Sequence, residues 1–463
     1  MFQQRWFIQL FHYLTNINFI NMKRRNFLKK VALGSTAISM PFIIPSGRLF
    51  AATGSAMADH VVFVAFAGGV RQQESVLQRY LLDSQDYPSE GNIMYNILNG
   101  ASPTDKIVYG TDGTVSGDTP IPKILNQTLE SQGTIFKEMV SSHAGHYGGL
   151  NTLLTGNYQY TQGLKSKSYM PTIFEYTRRH LGIPASKVWY IGNGIGNSIP
   201  LLDYSLHPDY GSQYGANFFA PTITFGSDGF KHLRNAKIYH PEEELDPMYK
   251  MKYFLDNVWY SQGKKMPNIG NTEEEKYEIK EFFKEMFEKT EQGIIAHPPQ
   301  NGGELDAIGY ACEVMKRFKP KLSVVYLSAV DVCHSNFTSY LQNLHRADHG
   351  VGHLWDFIQN QIPEMSGKTA IILAPEQGRN LEPNNIIDAN GFQAYDHSDE
   401  NTRRVFGLMA GPGISSNESR GGEMNPVGDL LNITPTIAEI LGFKQEVLNT
   451  GLVSSNQSLF DLI

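Results

Sequence analysis

Asp331, His334, Glu376 and His397 are the residues whose types and spacing suit chemistry. The first two stand three apart in Leu327-Ser-Ala-Val-Asp331-Val-Cys-His334. Glu376 follows the apolar run Thr369–Ala374, and His397 precedes the run Val405–Ala410. Carboxylate oxygen and imidazole nitrogen are the donors that zinc, manganese and similar divalent ions accept. Each piece alone is common: a D-x-x-H spacing arises by chance, and a His at a strand end often only caps or hydrogen-bonds. The interest lies in three separate chain regions delivering such groups to strand ends.

The elements that must position them are short apolar runs. His60–Phe66, Val188–Ile191, Leu322–Val330, Thr369–Ala374 and Val405–Ala410 are Val- and Ile-rich and end at Gly, Asp or Pro. They read as buried parallel strands. Between them the spacing predicts a helix over Ser339–Gln361, closed by Pro363, and a short one over Ile433–Leu441, stopped by Gly442. Strand–helix alternation predicts an α/β fold with a mostly parallel central sheet and helices on both faces. In such sheets ligands bind beyond the carboxyl ends of the strands.

The sequence has 463 residues, 41 % hydrophobic and 18 % charged, which fits one large folded domain rather than disorder. The expected division is 1–58 as an upstream extension and export signal, and 59–463 as a single α/β domain. A helical insertion is expected around 240–300. Its helix opens at Asn271 or Thr272 and runs to about Gln292, with Phe282, Phe283, Met286 and Phe287 on an apolar face. Packing on the main sheet is expected over a cap on the site. The net charge of -7, with no long basic run beyond the N-terminus, argues against nucleic acid as a partner. Two cysteines, Cys312 and Cys333, allow at most one bridge.

Lys23-Arg24-Arg25-Asn26-Phe27-Leu28-Lys29 precedes a modest apolar stretch and resembles a twin-arginine export signal. Met22 stands just before it, so residues 1–21 are expected to be an upstream extension. Ala51-Ala52 or Ala56-Met57-Ala58 offers a cleavage region. No later stretch of about 18 apolar residues predicts a membrane span. A periplasmic or extracellular location is expected, with no membrane in the mature form.

Larger pieces of the chain, taken together, resemble the alkaline phosphatase superfamily, which includes the sulfatases. They are Thr119-Pro-Ile-Pro-Lys, Gly133-Thr-Ile-Phe, Gly149-Leu-Asn-Thr-Leu-Leu-Thr155-Gly156, Asp331-Val-Cys-His334, Asp348-His-Gly-Val-Gly-His, Glu376-Gln-Gly, His397, Gly411-Pro-Gly-Ile and Ile433-Thr-Pro-Thr-Ile-Ala-Glu-Ile-Leu-Gly442. They span about Val61 to Gly442. The resemblance implies an alkaline-phosphatase-like fold and a metal-dependent hydrolase of sulfate or phosphate esters, acting on a small-molecule or glycan ester. Asp331, His334 and His397 would ligate the first metal. Glu376 and Gln377 stand where the family has Asp-His, and Ala67 stands where its first strand ends in Asp. A methyl cannot coordinate, and an amide is a poor ligand beside imidazole. The resemblance therefore implies one divalent ion (zinc, calcium or manganese) and an incomplete second subsite.

Counting back from Thr155-Gly156, the family's nucleophile falls at His146. Imidazole can attack phosphorus or act as acid or base, and it can equally be a metal ligand or a structural hydrogen-bonding group. Ser141, Ser142 and His143 are neighbouring candidates. Arg71, and less so Arg403 and Arg404, could bind an anionic oxygen by paired hydrogen bonds. Asn151 and Gln377 could contact substrate. The dismantled second subsite also suits a different expectation: a binding protein or inactive pseudoenzyme that keeps the fold.

Overall fold

The structure is a computed structural model that describes residues 54–80, 91–103, 121–159, 167–192, 202–221, 269–300 and 304–463. The export motif and much of the expected 240–300 insertion lie outside the described residues. Eight strands form one sheet: β1 His60–Phe66, β2 Gly133–Val140, β3 Val188–Gly192, β4 Asn217–Phe219, β5 Leu322–Leu327, β6 Thr369–Pro375, β7 Arg404–Ala410 and β8 Glu418–Arg420. Their order is β4-β3-β5-β1-β6-β7-β2-β8. All neighbouring pairs are parallel except β6 with β7 and β7 with β2.

Strand β1 shows why both faces must be covered. Val62, Val64 and Phe66 enter one apolar cluster, and Val61, Phe63 and Ala65 enter the other. The period-2 alternation of a strand thus feeds two cores, so the run is apolar throughout. The first core is closed by α3 Glu273–Gln292, α4 Leu305–Phe318 and α5 Phe337–Gln361. The second is closed by α1 His146–Thr155, α2 Ile173–Leu181 and α6 Ile433–Ile440. Each fully buried Leu or Ile in these layers contributes about 1.5–3 kcal/mol.

The helix readings hold closely. Thr272 caps α3, accepting from the Glu275 N–H, while Glu275 reaches back to the Thr272 N–H at 2.8 Å. This capping box satisfies two otherwise orphaned donors. Phe282 and Phe283 meet Trp189 of β3 and Phe219 of the edge strand β4, so α3 belongs to the main core. Asn336 caps α5 through the Ser339 N–H at 2.7 Å. Cys312 and Cys333 are both buried and unbridged.

Two expectations need correction. Strand β5 ends at Leu327, and Asp331 lies in a 3-10 turn, Ala329–His334. The N–H of Ala329 donates to Glu304 Oε1 at 2.8 Å, which draws the chain off the ladder there. Strand β7 is antiparallel, not parallel. Between Pro375 and Arg404 the described chain holds only a one-turn 3-10 helix, Glu400–Arg403. A parallel return needs a crossover, usually helical, whereas an antiparallel neighbour does not. Strands β2, β4 and β8 and helix α1 were not assigned from the pattern.

The turn after β1 is possible only with glycine. Gly68 has φ +104, and a Cβ there would collide with the Asp331 backbone. Gly422 has no near neighbours around a Cβ and an ordinary φ. Gly68→Ala is expected to lose about 2 kcal/mol or more through backbone strain plus collision, and Gly422→Ala close to nothing. Urea unfolding of both variants checks this, and equal midpoints would refute the close approach.

Candidate active site

The carboxyl ends of β1, β2, β5 and β6 lie at one edge of the sheet, together with the start of antiparallel β7. Each delivers at least one group there. After β1 comes the Gly68 N–H; after β2, His146 at the first position of α1; after β5, Asp331 and His334; after β6, Glu376. His397 arrives on the loop before β7. Helix α1 can approach because Gly149 carries no side chain; a Cβ there would run into the Glu376 carbonyl oxygen.

His146 is clasped between two carboxylates. Its Nδ1 lies 2.7 Å from Glu376 Oε1, and its Nε2 lies 3.2 Å from Asp331 Oδ1. Glu376 is fully buried and its Oε1 also accepts the Gly68 N–H at 2.8 Å. The ring of His397 stands edge-on to that of His146, centroids 4.6 Å apart. His397 Nδ1 donates to the Ala144 carbonyl at 2.8 Å, which leaves Nε2 as its free lone pair. His334 Nδ1 lies 3.7 Å from Asp331 Oδ1, and its ring is the most exposed of the group.

Burial disfavours the charged form of His146, yet the Glu376 hydrogen bond and the charges of Glu376 and Asp331 outweigh it and raise the pKa. Burial, with the His146 and Arg379 charges behind it, lowers that of His397. The two rings are thus driven apart: His146 toward imidazolium, His397 toward neutral imidazole. Gln377 is buried, its Nε2 3.1 Å from His146 Nδ1.

Arg379 was missed from sequence. It is fully buried and donates to Asp331 Oδ1 at 2.7 Å and, from the same nitrogen, to the Gly68 carbonyl. A basic residue after a glycine reads as surface; the signal was its place three residues past Glu376, at the strand end itself.

Two predicted substrate-binding residues are placed elsewhere. Arg71 is buried and spends its guanidinium on Glu74 at 2.6 Å, stacked 3.7 Å from the Tyr395 ring centre. It braces the loop that carries His397 and has no fork left for an anion. Asn151 is buried in α1, and its amide donates to the Gln159 carbonyl at 3.0 Å, closing the turn after that helix. Ser141 is buried and bonded to the carbonyls of His143 and Glu376. His143 is tied to the Tyr158 carbonyl, Ser142 faces Asp429, and Arg403 donates to the Ser142 carbonyl. Arg404 pairs with Glu138 at 2.8 Å. The methyl of Ala67 is buried in the second core.

The expected four-residue ligand set is not assembled as one shell: among the described residues no three His, Cys, Asp or Glu side chains stand ready as a metal site. Glu376 Oε1 is turned to His146 and Gly68. The donor chemistry nonetheless suits a divalent ion around Asp331. His334 and His146 nitrogens flank its Oδ1, and His397 keeps its Nε2 free with Nδ1 on a backbone carbonyl, the usual support of a ligating His.

No family model matches the sequence, and neither does any curated protein. Solved structures are similar in fold. A protein in the alkaline phosphatase superfamily from Vibrio parahaemolyticus is 11% identical, with 91% of this chain and 76% of that chain covered at a TM-score of 0.38. The lipoteichoic acid synthase LtaP from Listeria monocytogenes is 11% identical, covering 84% and 72% at 0.38. TAB5 alkaline phosphatase, a mutant with Mg bound, is 9% identical, covering 84% and 99% at 0.38.

Truncating His146 leaves the Glu376 carboxylate buried beside a lost partner. His146→Ala is expected to cost about 3 kcal/mol, and His146→Ala with Glu376→Gln less than the sum of the two single changes. A double-mutant cycle by urea denaturation measures the coupling. Strict additivity would show that the pair does not interact.

Proposed function

We propose that this chain is an exported, metal-dependent hydrolase of sulfate or phosphate esters. The observation that carries the reading is the approach of His146 and His334 to one Asp331 oxygen, with His397 edge-on to His146, at the ligand-binding edge of the sheet. Asp331, His334 and His397 would hold the ion. Bound there, a divalent ion supplies Lewis-acid polarisation of an ester oxygen and lowers the pKa of its water.

The chain's own residues do the rest. Glu376, fixed by Gly68 and buried, holds His146 protonated on Nδ1 and orients its ring. With both ring nitrogens turned to carboxylates, His146 has no lone pair to attack with. Its part is that of general acid, releasing the Nε2 proton to the leaving oxygen. Asp331 holds that proton in line until substrate displaces the contact. Attack then falls to water, since Ser141 is bonded inward. His334 is the exposed member of the cluster, and an open side suits a small-molecule or glycan ester.

One observation favours a second reading. The Arg379 guanidinium already neutralises Asp331, as it would in a pseudoenzyme that keeps the fold without turnover. Elemental analysis and a panel of aryl sulfates, phosphate monoesters and diesters separate the two. Bound metal, turnover of one class, and loss of both in Asp331→Ala and His334→Ala support the hydrolase. His146→Gln is then expected to lower kcat by about 100-fold or more while metal stays bound. Metal with no turnover across the panel leaves the pseudoenzyme reading, and absence of metal removes the metal-dependent one.

Export rests on the Arg24-Arg25 motif. No helix of the described residues is long and apolar enough to cross a membrane. Residues 1–58 fused to a reporter are expected to direct it out of the cytoplasm, and Arg24→Lys with Arg25→Lys to retain it. Unchanged export in the double variant would discard the signal.

A further inference from the structure

The segment that leads into β1 is built into the fold. The N–H groups of Met57 and Ala58 donate to the Ile440 carbonyl, at the end of α6, at 2.8 and 3.3 Å. Those of Asp59 and His60 donate to the Lys368 carbonyl, just before β6, at 2.8 and 3.1 Å. The Gly54 N–H donates to the Gly442 carbonyl at 3.1 Å. Ala58 is buried in the second core, and Met57 packs against that core. Two glycines make the room. A Cβ on Gly442 would stand 2.8 Å from the Ala56 nitrogen, and one on Gly413 would stand 2.8 Å from Met57 Cβ. Residues 54–60 thus form a strap, tied down by backbone hydrogen bonds and seated where larger residues would displace it.

The strap bears on where the export signal ends. The sequence offers two cleavage motifs, Ala51-Ala52 and Ala56-Met57-Ala58. The second carries the small residues that signal removal wants one and three positions before the cut. An endopeptidase hydrolyses a peptide bond by passing the hydroxyl of water to the carbonyl carbon and the proton to the departing amine. It must first take the residues on both sides of the bond into its own cleft, so cleavage follows backbone that is exposed and free of hydrogen bonds. The bond between Ala58 and Asp59 is the opposite case. Reaching it in the folded chain would break the hydrogen bonds of Met57, Ala58 and Asp59 and draw Ala58 out of the core. The Arg24-Arg25 motif is of the twin-arginine type, whose cargo crosses already folded.

We propose that the mature domain keeps this strap: an endopeptidase acting on the folded chain removes the signal on the N-terminal side of Gly54, and not after Ala58. This rests on the reading of the chain as exported.

The test maps the N-terminus. The full-length protein is produced with its signal, recovered from outside the cytoplasm, and read by intact mass and N-terminal sequencing. A mature chain that begins no later than Gly54 is expected. A start between Ser55 and His60, Asp59 above all, overturns the inference and leaves the export reading intact, as does exported protein that is left uncut. Protein that stays whole in the cytoplasm overturns the export reading and this inference with it. Ala56→Leu supplies a second arm. The Ala56 side chain is exposed, so the change spares the fold while spoiling the motif that ends at Ala58. The wild-type N-terminus and an unchanged yield of cut protein are expected, and loss of processing in this variant overturns the inference.

Discussion

The structure around the sheet edge depends on keeping one buried carboxylate satisfied. Glu376 is fully buried at the end of a central strand, where an isolated charge would cost several kcal/mol. Two donors prevent that: the Gly68 N–H and the His146 ring. Each constrains a different element. The first requires the turn after β1 to pass over Asp331 with a φ only glycine tolerates easily. The second requires α1 to start beside the end of β6, which in turn requires Gly149 at the contact. The carboxylate thus sets the spacing of three chain segments, and the arrangement of the cluster is a by-product of its neutralisation.

Topology explains why such distant residues meet. Parallel strands with helical crossovers bring all their carboxyl ends to one edge, so groups from β1, β2, β5 and β6 converge. The antiparallel β7 adds something a further parallel strand could not. Its entrance, not its exit, lies at that edge, so the loop carrying His397 reaches the site from the other direction. That loop is long for its span and would be loose without braces. Arg71 stacked on Tyr395 and Arg379 bonded to the Tyr395 carbonyl supply them.

Much of this was legible in the residues. Asp331, His334, Glu376 and His397 stood out because carboxylates and imidazoles directly after or before apolar runs have few structural reasons to be there. The strands themselves were legible because burial on both faces makes continuous Val and Ile runs. Strand direction was not: a run buried on both sides looks the same whichever way it runs. The short, weakly apolar β4 and β8 also left no pattern. Arg71 misled for a physical reason. An arginine past a strand end looks ready for an anion, but Glu74 three residues on captures its fork, and only packing shows that both are buried. Arg379 was overlooked for the converse reason, since its burial comes from Asp331, 48 residues away in sequence.

These two arginines show how the same side chain takes different parts at one site. Arg71 pairs with an acid of its own turn and contributes rigidity, so its charge is spent before it reaches the cluster of histidines. Arg379 pairs with the acid that the histidines also approach, so its charge enters their balance. Burial first, then the His146 and Arg379 charges, lower the pKa of His397, while Glu376 and Asp331 raise that of His146 against its burial. A neutral ring with a free Nε2 and a protonated ring held by two carboxylates are suited to opposite tasks, one to donate a lone pair and the other a proton. Their centroids are only 4.6 Å apart. At that separation bulk solvent could not keep their protonation distinct; fixed charges on either side can. The difference between the two histidines therefore follows from burial, which lowers His397, and from the two carboxylates, Glu376 and Asp331, that hold His146, with Arg379 adding to the first.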